Sequence, residues 1–222
     1  MDIKITIADD SHQKYAEEIC QLMEEAAHKR GTGIAKRAPS YIREKMRDGK
    51  AIIALDGDKL TGFSYIESWS NTKYVANSGL IVHPDYRGQG LGKKIKHKIF
   101  ELSRKKYPNA KIFGITTSLA VMKINSELGY EPVTFSELTR DDTFWDGCQS
   151  CPNYDILNSN NRKNCLCTGM LYDPEEEKKK EKKRKKQEKK RNWERFKRFL
   201  KLKKNQIIRK TESILKFKIG WQ

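Results

Sequence analysis

The segment Tyr86-Arg87-Gly88-Gln89-Gly90-Leu91-Gly92 joins an apolar run, Ser78 to Val82, to a stretch in which Leu91, Ile95, Ile99 and Leu102 share one helical face. Where a strand hands over to a helix, the first backbone N–H groups of the helix have no internal partner and sit at the positive end of its dipole. That is a socket for a pyrophosphate. Glycine at 88, 90 and 92 lets a ligand approach the backbone, Arg87, Lys93 and Lys94 add positive charge, and His83-Pro84-Asp85 is the turn that ends the strand. A second grouping is made of thiols: Cys148-x-x-Cys151, a spacer of thirteen residues, then Cys165-x-Cys167. Two such pairs either surround a tetrahedral structural zinc or stay unligated, while Cys20 reads as a core residue. A third is cationic, with Lys29, Arg30, Lys36 and Arg37 set around Gly31 and Gly33. Guanidinium forks there are suited to carboxylates, although a plain basic surface loop has the same composition.

These groups must be held by secondary structure that the periodicity outlines. Ile3 to Ile7 alternates as a strand, and Gln13 to Lys29 carries Ile19, Leu22, Met23 and Ala26 at helical spacing. A second helix starts at Ser40 as N-cap and runs to Met46 or Arg47. Ala51 to Leu55 and Leu60 to Ser68 form a hairpin across Asp56-Gly57-Asp58. After the glycine motif come a strand at Ala110 to Thr116, a helix at Leu119 to Leu128 and a strand near Val133 to Phe135. Pro152 to Asn164 reads as a loop, and Cys165 to Tyr172 supplies a last strand. Helices on both faces of a mixed sheet make this α/β.

Charge divides the chain. Of 222 residues with net charge +17, Glu175 to Gln222 holds 21 of the 46 basic and 7 of the 29 acidic side chains, a net +14, which leaves +3 for the first 174 residues. The expected organisation is a domain over 1–174, with a cysteine-containing insert at 145–168, and a tail over 175–222. Glu175 to Arg191 is too charged to bury a core and is either disordered or a solvated helix. From Trp193, aromatic and aliphatic residues recur among lysines and arginines, so the tail suits nucleic acid, an anionic membrane surface or an acidic protein, and reads equally as a solvated appendage with a weakly apolar stripe. No run is apolar enough to span a membrane, and the polar start Met1-Asp2-Ile3-Lys4 and the clustered thiols point to the cytoplasm.

Arg87-x-x-Gly90-x-Gly92, preceded by Val82-His83-Pro84-Asp85-Tyr86, resembles the coenzyme A signature of the GNAT acyltransferase superfamily, and the order of elements from Ile3 to Phe135 resembles the GNAT fold. The resemblance implies that Leu80, Ile81 and Val82 pair with the pantetheine arm and that Arg87 to Lys93 clasp the diphosphate. It also implies that a splay between this strand and Ile112 to Thr116 holds the acyl group. Catalysis would then be mainly positioning, supported by a backbone N–H for the oxyanion. Glu67, late in its strand, is the first candidate for the base that frees the attacking amine, the alternative being a solvated strand-end carboxylate. Asn125 stands where many family members carry a tyrosine that protonates the leaving thiolate. Asparagine is a poor acid but can hydrogen-bond the coenzyme arm.

The run Phe113-Gly114-Ile115-Thr116-Thr117, a following helix without tyrosine, and Gly129-Tyr130-Glu131-Pro132-Val133 resemble the acyltransferase domain of N-acetylglutamate synthase-type enzymes. The reading is therefore transfer of an acetyl group from acetyl-CoA, or a succinyl group from succinyl-CoA, to the α-amine of a small amino acid, glutamate first, at the start of arginine biosynthesis. Arg30, Lys36, Arg37, Thr116 and Thr117 would hold the acceptor. The alternatives are acylation of a protein amine and a non-catalytic acyl-CoA-binding protein whose tail finds a partner.

Overall fold

Leu60 to Glu67 are eight consecutive buried residues, as expected of a strand in mid-sheet with both faces covered. In the computed structural model, which describes residues 2–30 and 36–219 and omits the side chains of 30 and 205–219, this strand (β3, Lys59–Trp69) lies third in a seven-stranded sheet. The others are β1 (Ile3–Ile7), β2 (Ala51–Asp56), β4 (Tyr74–Val82), β5 (Lys111–Thr116), β6 (Glu131–Val133) and β7 (Thr168–Tyr172), in the spatial order β1-β2-β3-β4-β5-β7-β6. Only β4 and β5 are parallel. Their ladder is short, pairing Tyr74, Val75 and Ala76 with Lys111, Ile112 and Phe113, and it ends there.

Alternate residues feed opposite faces. Helices α1 (Ala16–Arg30) and α2 (Pro39–Arg47) press Ile19, Leu22, Met23, Ile42 and Met46 onto Ile53, Phe63, Tyr65 and Ile81. On the other face α3 (Leu91–Lys106) lays its Leu91-Ile95-Ile99-Leu102 stripe on Ile52, Ala54, Ile66 and Val75. The stripe read from sequence is the stripe that packs. Beyond β5, Ile112, Tyr130, Met170 and Tyr172 are joined by Met122 of α4 (Leu119–Glu127). Two short helices, α5 (Asp142–Asp146) and α6 (Tyr154–Ser159), bring Trp145 and Leu157 onto Phe113, Phe135 and Leu171.

Several boundaries differ from the sequence reading. The first helical segment opens as a 3₁₀ turn, Asp10–Tyr15, under an Asp9 capping box, before α1 begins at Ala16. Helix α2 starts at Pro39 after Ala38, not from a Ser40 cap, because proline at the first helical position needs no N–H partner. Strand β4 begins at Tyr74, four residues before the apolar run, since Val75 to Asn77 are buried by neighbours distant in sequence. Strand β6 ends at Val133, because Thr134 and Glu137 cap a 3₁₀ turn at Phe135–Glu137. The expected loop at Pro152 to Asn164 contains α6, anchored by buried Leu157, and the last strand begins at Thr168, not Cys165. The glycine break at Gly31 to Gly33 lies outside the described residues.

The residues fall into two compact units, Met1–Pro174 and Glu175–Gln222. The described residues of the second form one continuous helix, α7 (Pro174–Ile219). Pairs such as Glu175–Lys178 (2.8 Å), Glu176–Lys179 (2.8 Å) and Glu181–Lys185 (2.5 Å) recur at helical spacing on its exposed surface. Trp193 and Phe196 stack with ring centroids 5.8 Å apart on an otherwise solvated surface. Among the described residues no helix is long and apolar enough to cross a membrane.

One glycine fixes the shape of β4. The β3–β4 register shifts after Phe63↔Ile81, and Gly79 sits in that shift with φ +62°. A Cβ there would stand 2.3 Å from Tyr65 Cε1 and 2.8 Å from Met23 Cε. Gly79→Ala is therefore expected to lower unfolding free energy by about 2–4 kcal/mol, from left-handed strain plus overpacking. In urea titration the midpoint should fall with an unchanged slope.

Candidate active site

Because side chains alternate along a strand, Phe63, Tyr65 and Glu67 of β3 share one face, and the segment entering α2 brings Arg37, and the first turn of α2 Tyr41, over it. Arg37 donates from Nε to the Tyr65 hydroxyl (3.0 Å) and from Nη2 to Glu67 Oε1 (3.3 Å), and the Tyr41 hydroxyl donates to the same carboxylate oxygen. Glu67 is only 8% exposed. Burial raises the Tyr41 and Tyr65 hydroxyls well above the usual phenol range, and Glu67 adds to both shifts. Both phenols therefore stay protonated and act as donors. The Glu67 carboxylate thus has two fixed partners on one oxygen and faces a cavity of about 700 Å³.

That cavity follows the gap between β4 and β5. One side is Asn77 to Leu80, the other Gly114 to Thr116, and Asn125 of α4 also lines it. Asn125 is 1% exposed. Its Nδ2 contacts Met170 Sδ at 3.6 Å, while its Oδ1 has no partner among the described residues. A buried amide oxygen without a donor is costly, and here it lines a space a ligand can fill. Thr116 also lines the cavity, its Oγ1 accepting from the Ser118 N–H (3.1 Å). Thr117 is exposed and is not among the lining residues.

Past the end of β4, Gly88 and Gly90 adopt φ +77° and +76°, and Gly90 is the N-cap of α3 without any side-chain cap bond. A Cβ at either glycine would meet nothing within 4 Å, so the surface in front of the helix start is open. The loop is anchored from behind. Arg87 Nε donates to the Val82 carbonyl (3.0 Å), Tyr86 to Asp56 (2.9 Å), Gln89 to the Asp85 carbonyl (3.3 Å), and Lys59 pairs with Asp85 (3.0 Å). Lys93 pairs with Glu127 (2.6 Å), Leu91 is buried, and Gly92 lies against Val82. Leu80, Ile81 and Val82 run from this loop towards the gap.

Of the acceptor residues expected from sequence, Arg37 and Lys36 reach the cavity, the latter exposed and paired with Glu24 (3.0 Å). The Arg30 side chain lies outside the described residues. Tyr41, Tyr65 and Lys96 line the cavity and were not singled out from the sequence. For Lys96 the signal was available: a lysine immediately after Ile95 of the apolar stripe.

Cys148, Cys151, Cys165 and Cys167 are free and half-buried, and all four line the cavity; Cys148, Cys165 and Cys167 also pack on the Phe113–Trp145 cluster. Among the described residues, no group of three or more His, Cys, Asp or Glu side chains is placed to hold a metal ion. Zinc is therefore not supported, and the thiols of the two pairs lie near one another and pack as small apolar groups. Burial first, and neighbouring thiols next, push Cys148 up to about 11 and Cys167 up to about 12.

The sequence model of the acetyltransferase (GNAT) family matches residues 16–120. No curated protein is similar in sequence. Among solved structures the fold is similar to N-acetylglutamate synthase from Neisseria gonorrhoeae complexed with coenzyme A and N-acetyl-glutamate, at TM-score 0.56 and 16% identity over 78% of this chain and 35% of that one. It is also similar to Rv2747 from Mycobacterium tuberculosis in complex with CoA (0.54, 15%, 77% and 98%). A third is a phosphinothricin acetyltransferase from Sinorhizobium meliloti in complex with AcCoA (0.52, 13%, 78% and 89%). The chain spans about a third of the N-acetylglutamate synthase it matches.

The glycine loop yields a binding test. Gly90→Val puts a β-branched side chain at a left-handed position in front of the helix start, and is expected to weaken coenzyme A at least tenfold by calorimetry. Unchanged affinity would show that the diphosphate is held elsewhere.

Proposed function

We propose, from the match of residues 16–120 to the model of the acetyltransferase (GNAT) family, that the chain transfers an acetyl group from acetyl-CoA to the α-amine of a small acidic amino acid, glutamate in the first place. The observation that carries the reading is the arrangement around the gap between β4 and β5: an uncapped helix start at one end, and a carboxylate with a cationic rim at the other.

The diphosphate sits on the N–H groups at the start of α3, and the pantetheine arm runs along Leu80 to Val82, whose backbone groups beside the gap can pair with its amides. Asn125 Oδ1 accepts from an N–H of the arm, which removes its burial cost. The thioester then lies in the gap, and an N–H of β4 stabilises the oxyanion that forms when the amine attacks. Glu67 takes the proton that the amine must lose, directly or through a water. Its bonds to Arg37 and Tyr41 occupy Oε1 and leave Oε2 for that task. Holding amine and thioester together supplies much of the acceleration, roughly 7–11 kcal/mol in well-oriented model systems.

The acceptor's carboxylates would meet Arg37 and Lys36, with Lys45 and Lys50 also on the cavity wall. N-acetyl-glutamate, bound in the similar Neisseria gonorrhoeae structure, is a product of this class. The cationic rim also disfavours a polyamine acceptor by like-charge repulsion.

Thiol release from acetyl-CoA and succinyl-CoA should be measured against glutamate, glutamine, alanine and a peptide amine. Turnover highest with glutamate and acetyl-CoA is the expected result, and turnover with the peptide amine alone would overturn the acceptor. Glu67→Gln should lower kcat by about 10²-fold or more with little change in coenzyme affinity. An unaltered kcat would leave Glu67 as a structural partner of Arg37.

A further inference from the structure

Lys96 is the one lysine of α3 that points inward, and it is 2% exposed. Ile95 and Ile99 beside it pack on the sheet, but Lys96 reaches the place where the β4–β5 ladder stops. Its Nζ donates to the Asn77 carbonyl (3.3 Å), one residue past the last pair, Ala76↔Phe113. Asn77 is itself fixed, its Oδ1 accepting from Ser103 Oγ (2.6 Å) and its Nδ2 donating to the Tyr130 hydroxyl (3.3 Å). Lys96 Nζ also lies 5.6 Å from the centre of the Tyr130 ring. An ammonium has three donors, and the Asn77 carbonyl uses one. Lys96 lines the same cavity as Asn125 and Glu67.

Buried lysines are normally paired with a carboxylate, and among the described residues no carboxylate is paired with this one. The titratable groups around it are Tyr130, whose hydroxyl burial holds far above the usual range, Tyr172 against Tyr130, His97 next on the helix, and Glu67 on the wall of the same cavity. Burial alone lowers Lys96 to about 8. An ammonium at this position is therefore a proton source whose acidity is close to that of an alkyl thiol, about 8.5 by analogy with cysteine.

We propose that Lys96 delivers the proton to the coenzyme A sulfur as the thioester breaks, the task for which Asn125 is chemically unsuited. This rests on the acyl-transfer reading above. The amine nitrogen bonds to the carbonyl carbon and its surplus proton goes to Glu67. The tetrahedral intermediate then collapses, the C–S bond breaks with its electron pair going to sulfur, and a proton moves from Lys96 Nζ to that sulfur. The products are the amide, the free thiol and a neutral Lys96 amine. After the thiol leaves, Lys96 regains a proton and Glu67 gives one up to solvent.

Two variants test it. Lys96→Met keeps the volume and removes the proton, and Lys96→Gln keeps a donor for Asn77 without an acidic ammonium. The first readout needs no acceptor: the ultraviolet absorbance of the bound coenzyme A thiolate, followed against pH. In the native protein the bound thiol should ionise at lower pH than in either variant, because the ammonium favours the thiolate. The second is turnover. Both variants should lose about 10²-fold in kcat while binding acetyl-CoA as before, and the fall of native kcat as pH rises through about 8 should vanish. Identical thiol titrations in native and variant proteins, at equal coenzyme affinity, would overturn the proposal. Failure of the native protein to bind coenzyme A would instead overturn the acyl-transfer reading. Binding without glutamate turnover would overturn only the acceptor and leave the thiol titration to decide on Lys96.

Discussion

The structure depends on a ladder that stops. β4 and β5 pair over three residues and then part, although each remains tied on its other side, β4 to β3 through Val82 and β5 to β7 through Thr116. Parallel strands normally continue until a turn separates them, because every unpaired backbone group away from water costs free energy. Here the groups on both lips of the gap lack a strand partner by construction. A narrow space lined by amides is suited to an extended ligand that carries amides of its own, and it accepts such a ligand as it would another strand. At one position the fold supplies its own partner, the Lys96 ammonium on the Asn77 carbonyl.

The gap is useful because a rigid element aims a ligand into it. Helix α3 packs its apolar stripe on the face of β2 and β3 and starts next to the end of β4, so the open N–H groups at Gly90 and Leu91 have a fixed relation to Leu80 to Val82. The bonds from Arg87 to Val82, Tyr86 to Asp56 and Lys59 to Asp85 hold the intervening turn from outside the binding surface. On the opposite side, the register shift at Gly79 turns β4 under Tyr65, and Tyr65 in turn orients Arg37 towards Glu67. A change in the backbone of β4 would therefore alter both the coenzyme strand and the carboxylate side of the cavity.

Local signals were readable and convergent ones were not. The Leu91–Leu102 stripe, the Asp56-Gly57 hairpin and the glycine loop each depend on residues within a turn or two of one another, and the structure has them where the pattern put them. Strand β4 was read short because Val75 to Asn77 owe their burial to β3, β5 and α3. The pairing of Arg37 with Glu67, thirty positions apart, left no trace in spacing. Helix α6 was hidden in an asparagine-rich segment because one buried leucine, Leu157, is too little periodicity to notice. The spacing of the cysteines left two readings open, and a structural zinc is not supported among the described residues. Their spacing carries a metal-like pattern, but where the thiols go is decided by how α5 and α6 pack on Phe113 and Leu171.

Lys96 shows what the fold forgoes to keep the gap chemically active. Its pKa of about 8, against 10.5 in the unfolded chain, corresponds to roughly 3 kcal/mol of lost stability. The unfolded chain binds more protons than the folded one between those two values, so stability rises with pH across that window, and the whole penalty is present at neutral pH, below both. A methionine or leucine of similar volume would remove the penalty and pack on the same neighbours. Among the described residues no carboxylate is paired with it to offset the penalty, and a paired carboxylate would raise the pKa and make the ammonium a weaker acid. The unpaired charge is thus costly for folding and, for the same physical reason, acidic enough to give up its proton. Sequences carry conflicts of this kind at the positions where they do chemistry.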